Sequence, residues 1–346
     1  MIAEKLGVSS ATVSMGLRSD PRLQAETIAR VQAAAAELGY DPHYHDAARR
    51  LALHRRGKKY LNRVVALHTP TVVGSRYFSL IYEGIASQLA AEGYSLLVNT
   101  PVEPEPHPIE LPAIVSRGEV DALIAMSAPE HLRPLVRRLR STPGFRDRPV
   151  VAPFYVVPGC GSVYSDDQLG AYQAARHLLE LGHRQLMCFA FDSFPHQLRL
   201  RGLQQAFSEF GLAPDKCLHR MRPYPGWSAS EALPANLDNG LSRQEAVEHP
   251  FIHYLREHPQ ITALLGANDA SVLSAWRVLH AAGARVPEDL SLVGFDDVDP
   301  LPGPEQDNML NSVRIPLQEL GREAARMALG MISGELPAES RVVLPT

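Results

Sequence analysis

Ser10, Ala11, Ser14 and Met15 are small or slender side chains that share one face if residues 10 to 17 form a helix, a face able to approach base edges in a DNA major groove. Gly7 supplies a turn before that helix, Ser9 a side-chain oxygen to cap it, and Val13 and Leu17, four apart, its inward side. With Thr12, these residues make the candidate DNA-contacting set Ser9, Ser10, Ala11, Thr12, Ser14 and Met15. A short capped helix with no such role would carry the same spacing. A second set is cationic: Arg49, Arg50, Arg55, Arg56, Lys58, Lys59 and Arg63 follow with no acidic residue after Asp46, as in a segment laid along phosphates. A solvated basic linker is the plainer alternative. Metal and covalent chemistry find little support. His249 and His253 have helical i,i+4 spacing, but Pro250 lies between them and no carboxylate offers a third ligand, so a surface loop is expected. The chain has no Gly-x-Ser-x-Gly elbow, phosphate loop or His-Glu-x-x-His, so no catalytic residue, metal or cofactor is assigned.

The elements that must position these residues follow from periodicity. A third helix is expected from about Gln24 to Leu38, with Ile28, Val31, Ala35 and Leu38 on one stripe and Gly39 at its C-terminal cap. Three helices make a small helix-turn-helix headpiece over residues 1–45, whose first helix, with Ala3 and Leu6 as core contacts, is barely a turn and a half. That brevity leads us to expect a true start upstream of Met1, or a weakened headpiece. Residues 46–61 read as a basic hinge helix and linker, capped by Asp46. From Arg63 the pattern alternates strand and helix. Strands are expected at Val64 to Leu67, Ser95 to Asn99, Val120 to Ala125, Pro149 to Val151, Leu186 to Ala190, Ile261 to Gly266 and Leu290 to Gly294, with helices between them. The fold class is therefore α/β: the headpiece and hinge, then a two-lobed core over 62–346 of parallel sheets with helices on both faces.

Composition sets outer bounds. At 346 residues, 45% apolar and 21% charged, the chain suits a globular protein of two or three domains. No run approaches the ~20 apolar residues of a membrane span and the start lacks an export signal, so a cytoplasmic protein is expected. Net charge is −4, yet residues 1–60 carry ten Lys/Arg against six Asp/Glu, so positive charge is concentrated where DNA contacts are expected. Three widely spaced cysteines suggest buried free thiols.

The order of motifs resembles the lac repressor family of bacterial transcription regulators over nearly the whole chain. Its Gly-Val-Ser-x-x-Thr-Val-Ser falls on Gly7 to Ser14 and its Leu-Gly-Tyr-x-Pro on Leu38 to Pro42. Further matches are Asp166-x-x-x-Gly170, Leu181-Gly182-His183-Arg184, Ala267-Asn268-Asp269, Val286-Pro287-Glu288-Asp289 and Val293-Gly294-Phe295-Asp296-Asp297. The resemblance implies a core like the periplasmic sugar-binding proteins with three crossings between lobes. Lobe one would take about 62–163 and 310–329, and lobe two about 164–309 and 330–346. It implies a hinge helix in which Leu51, with Leu53 as alternative, wedges into the minor groove and Arg49 lies beside it. Where many relatives have arginine after Thr-Val-Ser this chain has Met15, which exchanges a contact to guanine for an apolar one.

For the cleft, the resemblance assigns Tyr77, Phe78, Arg199, Trp227, Asn268 and Asp296 to an effector, with Asp296 accepting hydroxyl hydrogens, Arg199 donating and Trp227 stacking. Phe154-Tyr155 stands where many relatives have Asp-Arg. The function implied is a homodimeric transcription regulator, a repressor, addressing a pseudo-palindromic operator under control of a small-molecule effector, a sugar. The alternative is a sugar-binding protein or sensor with a weakened headpiece. A sugar-modifying enzyme would need a nucleophile or acid/base pair in the cleft, and the sequence offers no motif for one.

Overall fold

The computed structural model describes residues 2–17, 19–38, 61–69, 75–100, 111–142, 144–225, 227, 241–301 and 308–346. They form two compact units, Met1–Asn62 and Arg63–Thr346.

Among its described residues the first unit holds three helices: α1 (Ile2–Leu6), α2 (Ser10–Leu17) and α3 (Ala25–Glu37). Gly7, at φ +63°, makes the turn between α1 and α2, a conformation in which a Cβ would be strained. Ser9 accepts the Thr12 amide on its Oγ at 3.0 Å and so caps α2. Ile2, Ala34 and Ala35 form the buried core, with Leu6, Val13, Leu17 and Leu38 packed on it. The α1 contact is thus Ile2, not the expected Ala3, which lies half-buried outside that cluster. The helices approach closely at Gly16, where a Cβ would stand 2.8 Å from Val31.

In the second unit, lobe one contains β1 (Val64–His68), α4 (Arg76–Ala91), β2 (Ser95–Asn99), α5 (Ala113–Ser116), β3 (Ala122–Ala125), α6 (Pro129–Ser141), β4 (Val150–Pro153) and β5 (Gly161–Ser165). Lobe two follows with α7 (Asp167–Glu180), β6 (Leu186–Phe189), α8 (Phe194–Glu209), α9 (Pro214–Cys217), β7 (Leu218–Met221), α10 (Arg243–Glu248), α11 (Pro250–Glu257), β8 (Ala263–Leu265), α12 (Asp269–Ala282), β9 (Ser291–Asp296) and β10 (Asn311–Arg314). The chain ends in α13 (Leu317–Ser333) and β11 (Arg341–Leu344). One sheet has the order β11-β5-β4-β3-β1-β2, the other β10-β9-β8-β6-β7, and every pairing is parallel. β3, β4 and β6 are buried at every residue, as apolar runs covered by helices on both faces require. Register is fixed through β1, where Val65 faces Leu96 of β2 and Ala122 of β3.

The expected lobe assignments change at the C-terminal end. Residues 311–314, expected in lobe one, pair as β10 with β9 in lobe two, Asn311 opposite Val293. Residues 330–346, expected in lobe two, stay with lobe one: α13 runs on to Ser333, and β11 pairs with β5, Val343 opposite Tyr164. The physical reason is that the open backbone edge of β5 is satisfied by a strand alternating exposed and half-buried residues, as suits the rim of a sheet. Among the described residues the chain crosses between the lobes at 165–167 and 314–317, and past the end of β11 the Thr346 hydroxyl donates to the Asp166 carbonyl at 3.3 Å, beside α7. His249 and His253 also depart from the expected loop. Pro250 opens α11, where its missing amide hydrogen costs nothing, and His249 caps that helix by accepting the Phe251 amide on Nδ1 at 3.1 Å. Among the described residues no helix is long and apolar enough to cross a membrane.

Candidate effector cleft and DNA-reading helix

A cavity of about 280 Å³ opens between the two lobes. Its walls come from loops and helix starts that follow the carboxyl ends of parallel strands: Tyr77 and Phe78 after β1, Met126 after β3, Phe154 and Tyr155 after β4, Asp167 after β5, Phe191 after β6, Asn268 after β8, and Asp299 after β9. This is the edge where an open parallel sheet leaves room for a ligand, because its connections diverge there to opposite faces.

Arg199, on α8, organises the polar side. Its Nε donates to Asp167 Oδ1 at 2.6 Å and its Nη1 to the Ala267 carbonyl at 2.6 Å, while Nη2 stands 3.7 Å from Asp296 Oδ1. The guanidinium carbon lies 3.5 Å from the centre of the Phe295 ring. Burial works against the charge, but Asp167 and Asp296 outweigh it and keep the group ionised. Asp167 is further held by the Ser165 hydroxyl, which donates to Oδ2 at 2.8 Å.

Asp296, the last residue of β9, has φ +103°, a rare conformation for a residue with a side chain. Its Oδ1 is buried without a hydrogen-bond partner. Burial pushes its carboxyl well above the usual range; Arg199 opposes the rise, and Asp269, Asp167 and Asp299 add to it. Behind it, Asp269 accepts the Val298 amide at 2.7 Å and the Ser312 hydroxyl at 2.5 Å, which fixes the loop after β9. Only glycine permits this at position 294, where a Cβ would stand 2.2 Å from Asp269 Oδ1. Asn268 lines the cavity and also caps α12, its Oδ1 accepting the Ser271 amide at 2.9 Å. His196 Nδ1 is 2.7 Å from Ser193 Oγ. Burial, then Arg199, pushes this imidazole down to about 3, so it is neutral at pH 7.

Opposite stands an aromatic wall. Tyr77 stacks on Phe154, centroids 5.9 Å apart at 29°, and meets Phe78 edge-on at 5.2 Å; Tyr155 meets Phe154 edge-on at 6.5 Å.

Five expected effector residues, Tyr77, Phe78, Arg199, Asn268 and Asp296, line this one cavity. Trp227 does not. It packs into the core of lobe two, with its ring parallel to His249 at 5.2 Å and edge-on to Phe251 at 5.4 Å. A large indole gains more from that cluster than from a wet cleft. The sequence reading missed Asp167, His196, Phe191 and Asp299 as lining residues. Asp167 lies two residues past the end of a strand, but β5 carries too little apolar pattern to announce itself.

In the first unit, Ser9, Ser10, Ala11 and Ser14 are exposed, Thr12 and Met15 half-buried, and Val13 and Leu17 turned into the core. Ser9 and Thr12 hydroxyls lie 2.9 Å apart, so part of Thr12's bonding is internal. Arg49, Leu51 and Leu53 lie outside the described residues, as does most of the basic segment. Arg63 begins the second unit, its amide donating to Asp121 Oδ2 at 2.7 Å. Among the described residues no group of three His, Cys, Asp or Glu could hold a metal ion.

Residues 2–43 match the family model described as bacterial regulatory proteins, lacI family, and residues 175–346 match a periplasmic binding protein-like domain. The HTH-type transcriptional regulator AglR of Rhizobium meliloti is 30% identical over 362 residues, covering 98% of this chain and 89% of AglR. The HTH-type transcriptional regulator CelR of Thermobifida fusca is 28% identical, covering 100% of this chain and 95% of CelR. Among solved structures, a transcriptional regulator CelR-cellobiose complex superposes with a TM-score of 0.61 at 23% identity, covering 100% of this chain and 96% of that one.

Proposed function

The chain belongs to the lacI family of bacterial regulatory proteins, a DNA-binding transcription regulator, and from that premise we propose that its cleft takes a neutral sugar whose occupancy sets affinity for operator DNA. The observation that carries this reading is Arg199 held beside Asp296, whose buried Oδ1 lacks a donor, across from an aromatic wall. A sugar supplies what each side lacks: hydroxyl hydrogens for Asp296, hydroxyl oxygens for Arg199 and an apolar ring face for Tyr77 and Phe154. Among the described residues the cavity is lined by three carboxyls, Asp167, Asp296 and Asp299, and a single guanidinium, which leaves a phosphorylated ligand too few cationic partners. A neighbour of the same fold is a cellobiose complex.

The regulator acts as a repressor in the cytoplasm, as a homodimer. Two copies of α2 present Ser10, Ala11 and Ser14 to two half-sites of a pseudo-palindrome, because a two-fold dimer repeats its recognition surface symmetrically. Leu51 and Arg49 belong to the hinge segment that orders on the minor groove. Sugar that binds one lobe arrangement better than the other biases the operator-competent state. A coupling of about 1–3 kcal/mol alters DNA affinity about 5- to 150-fold.

The test begins with selection of bound duplexes from a random pool. A palindromic site is expected, and titration of that complex with neutral mono- and disaccharides should change DNA affinity within the stated range for at least one. Indifference to every sugar tried, with palindromic DNA still bound, overturns the effector assignment.

A further inference from the structure

We propose that lobe one carries a second DNA contact, a row of arginines at the start of its strands that lies along backbone phosphates flanking the operator. This rests on the reading of the chain as an operator-binding regulator and adds a surface that reading does not use.

Residues 131–148 hold six arginines against one acidic residue, Asp147, although residues 63–346 are acidic overall. Two of the six are committed to the fold. Arg140 donates from Nη1 to the Arg146 and Arg148 carbonyls at 2.8 and 2.7 Å, and from Nη2 to the Gly159 carbonyl at 3.0 Å. Arg148 donates to Asp121 Oδ1 at 2.8 Å, and the other oxygen of that buried carboxylate accepts the Arg63 amide. The remaining four are exposed. α6 buries Leu132, Leu135, Val136 and Leu139 and turns Arg133, Arg137 and Arg138 outward, while Arg146 stands in the turn before β4. Arg133 and Arg137 are an i,i+4 pair of like charge, which weakens an isolated helix and is relieved by a bound anion.

The fold extends this charge into a row. β4, β3 and β1 are adjacent and parallel, so their starts share one edge of the sheet. Arg63 directly precedes β1, Arg117 lies in the loop before β3 and Arg146 in the loop before β4, all three exposed. α6 must carry the chain from the end of β3 back to that edge, and its last turn brings Arg137 there. The loops of Arg117 and Arg146 meet backbone to backbone, since a Cβ on Gly118 would stand 1.9 Å from the Gly144 carbonyl oxygen. Braced by Arg140, Arg148 and Asp121, these loops hold their outward arginines in place. Among the described residues none of Arg63, Arg117, Arg133, Arg137 and Arg146 has an acidic partner. Neighbouring strands lie about 4.8 Å apart, so the row spans roughly 10 Å across three strand starts. Duplex DNA offers a continuous line of charge on that scale, one phosphate per ~1.7 Å of axis.

Chain connectivity favours DNA over an acidic protein as the partner. The row lies on the edge where the chain arrives from the DNA-reading unit, at Asn62 and Arg63. Leu38 and Leu61 are 23 residues apart, at most about 80 Å of extended chain, so a bound headpiece keeps this edge within reach of flanking duplex. The cleft draws on the opposite, carboxyl ends of the strands, so phosphate contact leaves it open to its ligand.

The full chain is titrated against two duplexes carrying the selected palindrome, one trimmed to the site and one with about 20 further base pairs on each side. In about 50 mM salt the wild type should bind the flanked duplex at least fivefold tighter. The triple variant Arg117→Gln, Arg137→Gln, Arg146→Gln should reduce that advantage below twofold and leave affinity for the trimmed duplex within twofold of wild type. On the flanked duplex its slope of log affinity against log salt should fall by about 2 to 3, and the single change Arg137→Gln should lower it by about 0.9. Lysine at the same three positions should preserve the advantage, because phosphates respond to charge. No advantage from flanks in the wild type overturns the proposal and points to an acidic protein on this face. An advantage that survives the glutamine variant, an equal loss on both duplexes, or a loss with lysine as large as with glutamine overturns it as well. Failure of the wild type to bind either duplex overturns the operator reading together with the proposal.

Discussion

Arg199 donates to Asp167 at 2.6 Å while standing 3.7 Å from Asp296, so one guanidinium is shared unevenly between two buried carboxyls. Removing one partner of such a pair strands the other, which costs about 3–5 kcal/mol, whereas replacing both with uncharged groups of similar volume is often near neutral. Arg199→Ala should therefore lower stability to urea by about 3 kcal/mol and abolish effector binding. The double replacement Arg199→Met with Asp167→Asn should recover most of that stability without recovering binding. Recovery of both would mean that Arg199 touches no ligand.

Asp269 gives the protein a pH dependence of definite sign. Burial pushes it up to about 6 from 3.8, against hydrogen bonds from Ser312 and the amides of Val298 and Asp299. Between those values the native state keeps a proton that the unfolded chain has released. Stability contributed by this group is complete below pH 4 and is lost as pH rises through 6, by roughly 3 kcal/mol in all. Wild type compared with Asp269→Asn by chemical denaturation from pH 4 to 7 should show that decline in the difference. A difference independent of pH would contradict the assignment.

Gly16 controls the headpiece. A methyl group there would lie 2.8 Å from Val31, which is fully buried, so the two helices must part. Gly16→Ala should destabilise the first unit by about 1–3 kcal/mol, the usual cost of overpacking, and weaken binding to the selected duplex. The second unit, tested by its thermal transition and its sugar affinity, should be unchanged. Wild-type DNA affinity in this variant would show that α2 and α3 can separate freely.

Much of this architecture could be read from residues alone. Val64 to Leu67 and Ala122 to Ala125 are uninterrupted apolar runs, and they form strands buried on both faces. Periodicity likewise gave α3, found at Ala25–Glu37, within a residue at each end of expectation. Strands of mixed character were not legible: β5 reads Gly-Ser-Val-Tyr-Ser and β7 reads Leu-His-Arg-Met, and each is a strand because of its neighbours rather than its own pattern. That gap hid Asp167, the strongest partner of Arg199. Motif matching did place Arg199, Asn268 and Asp296 around one cavity. It misplaced Trp227, since residue type at a matching position says nothing of whether the local core has room for the ring.

Lobe two is one uninterrupted stretch from α7 to β10, whereas lobe one is completed only when β11 reaches β5 and the Gly159 amide meets Glu339 Oε1 at 2.7 Å, 180 residues later. During translation, then, the second lobe has all five strands of its sheet while the first still waits for its sixth. A ribosome that stalls near residue 335 would release a polypeptide with β5 bare along one edge, an opening for another nascent chain to pair where β11 belongs.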